Sequence, residues 1–306
     1  MSILSYSLDP KQFTDPQVVC IELDPHKSGK SNLHRDNCFV AAFSGGLPPE
    51  NVPIEEIMQA MESAINSGCA SLGLPKVNPN AFNNARGTWF ELLVTFSLWN
   101  LRIDCPKAHS SLIVKLPNVA TMKFSDIFEP KTRSMLNDLE KSLGDQGVNL
   151  ITSNPDILCI ANVEGINLDE QCLTKYENCT QDNLEAITSA YTLILGKCNY
   201  NSIKFGMALK ASTRPDRRLQ IPHEGSILKA INAHLQTRFW DPGHDVRYYA
   251  ATASLITGAD IEAFKTAATH SITDVNVKPM PAVDKSFYLA TLADVKVMFE
   301  DCMLRD

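Results

Sequence analysis

The stretch ALKASTRPDRRLQIPHEG, residues 208–225, ends an apolar run in Lys210, gathers Arg214, Arg217 and Arg218 around Asp216, and closes on His223 and Glu224. Well upstream, VNLITSNPDILCIANV carries Asp156 directly after Pro155. An aspartate on one strand and a lysine on another can meet at a sheet edge. There the carboxylate can hold Mg²⁺ while the lysine stands beside an attacking water. Taken singly, each residue has an ordinary explanation. Pro-Asp is a common turn pair, a lysine after a strand is usually solvated, and acids favour first helical turns through the helix dipole.

The paired aspartate and lysine follow the logic of a PD…(D/E)xK core, in which a second carboxylate stands two residues before the lysine because strand alternation points both side chains the same way. Here that position is Ala208, and the plain pattern is broken. Glu224, fourteen residues after Lys210, is the candidate replacement, reaching back from what reads as the first turn of the next helix. The segment RPDRR shifts the balance toward chemistry. Arginine bonds bidentately to O6 and N7 of guanine, and aspartate accepts from N4 of cytosine, so Arg214, Asp216 and Arg217 together suit G·C pairs. Arg218 reads as a phosphate contact. A solvated basic loop with an internal ion pair is the alternative for an isolated cluster of this kind.

These residues need elements to position them. NVPIEEIMQAMESAINSGCASLGL places Ile54, Ile57, Met58, Met61 and Ile65 at helical spacing, predicting an amphipathic helix near residues 52–67. ARGTWFELLVTFSLWNL is apolar nearly all round, as a helix buried in a core would be. KTRSMLNDLEKSLGDQG reads as a helix ended by glycines, and residues 181–197 as another. The Asp156 region reads as a strand entered through a turn, NSIKFGMALKAS as a buried strand ending near Lys210, and VRYYAATASLI as a further strand. Pro222 sits where a first helical turn would begin, ahead of a face of Ile227, Leu228, Ile231 and Leu235. The mixture predicts an α/β fold with a central mixed sheet flanked by helices.

With 306 residues, 44% of them hydrophobic and 21% charged, the chain can bury a large core. A single domain over 1–306 is expected, with 1–85 mainly helical and 86–306 carrying the chemistry. MSILSYSLDPKQF has no basic segment before an apolar core, and no stretch approaches a membrane span, so the expected location is the cytoplasm. Nine cysteines at irregular spacing, with no CxxC, indicate neither a disulfide framework nor a zinc knuckle. The net charge of −7 does not exclude nucleic acid, because the clustering of positive charge matters more than its sum. SGKS at 28–31 mimics the end of a phosphate-binding loop, but the leading glycine would fall at Asp24.

Taken together, VNLITSNPD, LKASTRPDRRLQIPHEGSILKAINAHLQTRFW, VRYYAATAS and ATHSITDV closely resemble the type II restriction endonucleases that cut purine-CCGG-pyrimidine sites. The resemblance runs from about ARGTWFELL nearly to the C-terminus. In that family the second acid is displaced from the strand to the following helix, so Ala208 becomes evidence in favour. The resemblance implies a restriction-endonuclease-like core with Asp156 as the central metal ligand, Lys210 as the catalytic lysine and Glu224 as the displaced metal-binding carboxylate. It adds Glu91, in GTWFE, as a further acidic residue of the site. It makes Arg214 and Arg217 the contacts to the two guanines of each half-site, and Asp216 the acceptor from the cytosine amino groups.

The implied reaction is Mg²⁺-dependent hydrolysis of double-stranded DNA by in-line attack of water, leaving 5′-phosphate and 3′-hydroxyl ends. A palindrome presents the same half-site twice, so a C₂ homodimer is expected. Several members of the resembled family pair two dimers, and a homotetramer is expected here. Two rival readings remain at this level: a repair or recombination nuclease on the same core, and a non-catalytic DNA-binding protein that keeps the reader alone.

Overall fold

The computed structural model describes residues 6–24, 29–150, 152–162, 165–166, 171–212, 215–272 and 278–304. In chain order the elements are β1 (Ile21–Leu23), β2 (Ser31–Leu33), α1 (Arg35–Phe43), α2 (Ile54–Ser71), α3 (Pro79–Asp104), β3 (Ser111–Lys115), α4 (Pro130–Gly144), β4 (Ile157–Ala161), α5 (Gln181–Ser189), β5 (Ile203–Lys210), α6 (Pro215–Phe239), β6 (Arg247–Thr252), α7 (Gly258–Phe264), β7 (Lys285–Tyr288) and α8 (Leu292–Leu304).

The chain divides into two compact units. One comprises residues 1–100, 175–186 and 289–306, and the other residues 101–174 and 187–288. Residue 85, after which the catalytic portion is expected to begin, lies within α3.

The first unit is mainly helical, with β1 and β2 forming a small antiparallel hairpin. Ile54, Ile57, Met58, Met61 and Ile65 of α2 are all buried, as their spacing requires, and the helix continues past the expected end to Ser71. In α3, Trp89, Phe90, Leu93, Phe96 and Trp99 are buried, while Phe39 of α1 meets both Phe43 and Phe96 edge-on or tilted. Phe90 and Phe96 each contribute about 1.5–3 kcal/mol by leaving water.

The second unit is built on a five-stranded mixed sheet of order β3-β4-β5-β6-β7. β3, β4 and β5 pair antiparallel, and β6 and β7 continue parallel. The strands ILCIA and IKFGMALK are buried at nearly every position, the signature of a sheet covered on both faces. At the end of α3, Arg102 is 1% exposed and donates to the carbonyls of Ser111 and Cys172, which ties the helix end to the start of the sheet.

Two glycines set how closely α6 lies on this sheet. A Cβ at Gly206 of β5 would stand 2.8 Å from Leu228 Cδ2, and one at Gly225 of α6 only 2.2 Å from the Ala282 carbonyl oxygen. With any side chain at Gly225 the helix could not keep its present seat, whereas at Gly206 the nearest atom is the movable tip of the Leu228 side chain.

Two sequence expectations require correction. Residues 181–197 are not one helix, since α5 stops at Ser189 and a 3₁₀ turn covers Ala190–Ile194. More consequentially, Pro222 does not open a helix: α6 starts at Pro215 and carries Pro222 inside it. Both prolines suit a first turn. Burial decides between them, because Ile221 and Pro222 are buried, and this packing outweighs the hydrogen bond that an interior proline cannot donate. Among the described residues no helix is long and apolar enough to cross a membrane.

Candidate active site

Asp156 is the last residue before β4, and the loop delivering it is pinned by its neighbours. Asn154 Nδ2 donates to the carbonyls of Pro117 at 2.7 Å and Met122 at 2.8 Å, while the Asp156 carbonyl accepts from Leu116 N–H at 3.1 Å. Ile157 pairs with Met207 across the β4–β5 ladder, which brings Asp156 beside the end of β5. There Asp156 Oδ2 accepts from the Leu209 N–H at 2.6 Å and from Lys210 Nζ at 2.7 Å. Lys210 is 9% exposed, so the pair lies where water screens it weakly.

Glu224 does not occupy the first turn expected from the sequence. It is the tenth residue of α6, so the helix dipole at the N-terminus does not account for it. It is 7% exposed, and both oxygens are engaged: Oε1 accepts from Gln220 Nε2 at 2.9 Å and Oε2 from the Tyr248 hydroxyl at 2.8 Å. Burial pushes its pKa above the ordinary carboxylate value; the Lys210 charge opposes this, the Asp156 charge adds to it, and the bonds from Tyr248 and Gln220 again lower it. Asp156, Lys210 and Glu224 thus share one electrostatic environment. Burial, reinforced by the charges of Glu224 and Asp156, raises the Tyr248 hydroxyl well above its usual value.

Ala208 pairs with Ala250 of β6, and both are fully buried. The position where a strand-borne acid commonly stands is filled by close-packed methyl groups, and an acid from the helix is the one present.

The remaining expected site residues are distributed differently. Glu91 lies on α3 in the first unit and is half-buried rather than enclosed in the core. Arg214 lies outside the described residues. Asp216, Arg217 and Arg218 belong to the first turn of α6, not to a loop, and their side chains lie outside the described residues. His223 is exposed.

Sequence reasoning missed Tyr248, Gln220, Gly206 and Gly225. Gln220 had a readable signal, since it stands four residues before Glu224 and shares its helix face. Tyr248 had none, because within RYYAAT it looks like one more apolar strand residue.

Among the described residues, no group of three or more His, Cys, Asp or Glu side chains is placed to hold a metal ion. What the site offers is two carboxylates, Asp156 and Glu224, beside a lysine. That donor set fits a small hard divalent ion, which takes one or two carboxylates and completes its shell with water and phosphate oxygens.

A family model described as Cfr10I/Bse634I restriction endonuclease matches residues 41–305. The chain is 32% identical over 275 residues to the type II restriction enzyme Cfr10I of Citrobacter freundii, a match spanning 88% of this chain and 95% of that enzyme. It is similar in structure to the type IIF restriction endonuclease Bse634I with cognate DNA, with a TM-score of 0.87 and 35% identity over 95% of this chain and 99% of that one. A second structure of the Bse634I restriction endonuclease gives a TM-score of 0.85 at 36% identity, over 94% of this chain and 98% of that one. The likeness starts well before the ARGTWFELL segment from which it could be traced by eye.

Proposed function

The chain belongs to the Cfr10I/Bse634I restriction endonuclease family and is a type II site-specific deoxyribonuclease; we propose that it cuts double-stranded DNA at palindromes with a CCGG core, purine-CCGG-pyrimidine, in a Mg²⁺-dependent reaction that leaves 5′-phosphate and 3′-hydroxyl ends. Restriction endonucleases of this kind generally use a divalent metal ion. The single observation that carries the mechanistic reading is the Asp156–Lys210 pair at 2.7 Å, with the buried Glu224 of α6 within reach of both charges.

In this reading Asp156 and Glu224 would hold Mg²⁺. The ion, when bound, supplies charge stabilisation for the phosphoryl and leaving oxygens. Lys210 orients the attacking water and eases removal of its proton; its own position is set by Asp156 Oδ2. The Leu209 N–H holds the same oxygen, so the carboxylate keeps its orientation when the lysine moves toward substrate. Burial of Lys210 and Glu224 lowers the local dielectric and strengthens each of these interactions.

Base reading falls to Arg214 together with the first turn of α6. Arg214 and Arg217 contact the two guanines of a half-site, Asp216 accepts from the cytosine amino groups, and Arg218 meets phosphate. Because Asp216, Arg217 and Arg218 precede Glu224 on α6, correct seating of the helix on cognate bases and correct placement of the displaced acid become a single event. The palindrome requires a C₂ homodimer, and two such dimers assemble into a homotetramer. Residues 1–306 work as one nuclease, with residues 86–306 supplying catalysis and base reading, in the cytoplasm of a prokaryotic cell.

The test is a digest of DNA carrying CCGG palindromes, with and without Mg²⁺, by the wild-type chain, Lys210→Ala and Asp156→Ala, followed by sequencing of the ends. Cuts confined to purine-CCGG-pyrimidine, dependent on Mg²⁺ and absent from both variants, are expected. Cutting at unrelated sequences, or undiminished cutting by either variant, would overturn the reading.

A further inference from the structure

An acid supplied by a strand is aimed by the strand itself, whereas one supplied by a helix must be anchored to the sheet by something else. Glu224 has three rotatable side-chain bonds and is not itself part of a strand. Its Oε2 accepts from the hydroxyl of Tyr248, a β6 residue that is itself 1% exposed.

That tyrosine is held unusually firmly. Its N–H donates to Asp284 Oδ2 at 2.7 Å, and its carbonyl accepts from the Asp284 N–H at 2.8 Å. Asp284 Oδ2 is in turn paired at 2.7 Å with Lys229, a lysine 2% exposed whose ammonium also donates to the Pro281 carbonyl at 2.7 Å. The ring lies against the two glycines that admit α6, since a Cβ at Gly206 would approach its Cδ2 to 3.3 Å and one at Gly225 its Cδ1 to 2.8 Å. With both main-chain polar groups clamped and both ring edges packed, the hydroxyl has one place to be.

We propose that Tyr248 is a positioning residue for the metal site: its hydroxyl, together with the Gln220 amide, fixes the plane of the Glu224 carboxylate so that its remaining lone pairs are presented to the ion shared with Asp156. The inference rests on the reading of Glu224 as a metal ligand. Each carboxylate oxygen has two lone pairs, of which Tyr248 and Gln220 occupy one apiece, leaving one on each oxygen for the metal or its water. Outer hydrogen bonds of this kind orient ligating groups and commonly govern affinity by one to two orders of magnitude. Tyr248 therefore does for a displaced acid what the strand backbone does for an acid at position 208.

The experiment compares Tyr248→Phe, Gln220→Leu and Glu224→Ala with the wild-type chain. Phe keeps the ring and its packing, and Gln220 is exposed, so its replacement leaves the core untouched. Two quantities are read: Ca²⁺ affinity of the complex with a CCGG duplex by calorimetry, and the Mg²⁺ concentration giving half-maximal single-turnover cleavage. Tyr248→Phe is expected to weaken Ca²⁺ binding and raise the Mg²⁺ requirement by roughly ten- to a hundredfold, with cleavage recovering at high Mg²⁺. Gln220→Leu should shift both quantities in the same direction by less. Unaltered metal dependence in Tyr248→Phe, with Glu224→Ala strongly impaired, would show that the tyrosine only packs. Unaltered metal dependence in Glu224→Ala itself would remove the ligand assignment and the inference with it.

Discussion

Asp156 Oδ2 accepts from the Lys210 ammonium at 2.7 Å and from the Leu209 N–H at 2.6 Å, so one strand end holds both the lysine and the carboxylate that it neutralises. Removing the lysine leaves the carboxylate oriented by the backbone. Lys210→Ala is therefore expected to slow single-turnover cleavage by roughly 10²–10⁴-fold, the usual scale for a positioned proton-transfer group, while keeping site-specific binding. Cleavage time courses and gel shifts on the same duplex measure the two effects separately. Parallel loss of binding would mean that the lysine serves DNA contact instead.

Glu224 makes the metal-free fold pH-sensitive. Burial raises its pKa from the ordinary 4.5, with Asp156 adding to the rise and Lys210 opposing it. A carboxyl raised in the folded state contributes stability that is complete below its unfolded pKa and is lost as pH climbs through the folded value. In chelator, the wild-type melting temperature should fall more than that of Glu224→Gln as pH rises above the ordinary carboxylate range. Adding Mg²⁺ at the higher pH should stabilise the wild type and leave the variant unmoved. Identical pH profiles for the two proteins would count against this account.

Gly225 tests the seating of α6. A methyl group there meets the Ala282 carbonyl oxygen at 2.2 Å, a backbone atom that cannot swing aside. Gly225→Ala is expected to cost about 1–3 kcal/mol in denaturant unfolding and, by displacing the adjacent Glu224, to reduce cleavage more than DNA affinity. A variant of wild-type stability and rate would show that the helix has room to spare.

Arg217, in the first turn of α6, is expected to discriminate one base pair. Arg217→Ala should lose about 1–3 kcal/mol of preference at a single position of the half-site and little elsewhere. Competition binding against single-substituted duplexes reads this directly. Uniform weakening on every duplex would assign the arginine to phosphate.

Much of the fold was legible because apolar periodicity is a local property of the chain. The α2 stripe of Ile54, Ile57, Met61 and Ile65, the buried run from Leu92 to Phe96 in α3, and the strands containing Ile157–Ala161 and Ile203–Lys210 all follow from spacing. The types of the candidate site residues were legible for the same reason. Asp156, Lys210 and Glu224 are visible as chemistry, and Ala208 is visible as the missing acid.

Which turn of which helix carries Glu224 was decided only by tertiary packing. Pro215 and Pro222 send the same local signal, and the choice between them depends on whether Ile221 and Pro222 find a buried surface, a matter settled by residues far away in the chain. Tyr248 as the partner of Glu224 is likewise a product of long-range register, because β6 must pair with β5, and α6 must fit over Gly206, before a strand tyrosine and a helix acid can touch. Sequence determined which groups could act, since charge and polarity belong to single residues. Tertiary structure decided which of them meet, since a hydrogen bond depends on the positions of two chain segments at once.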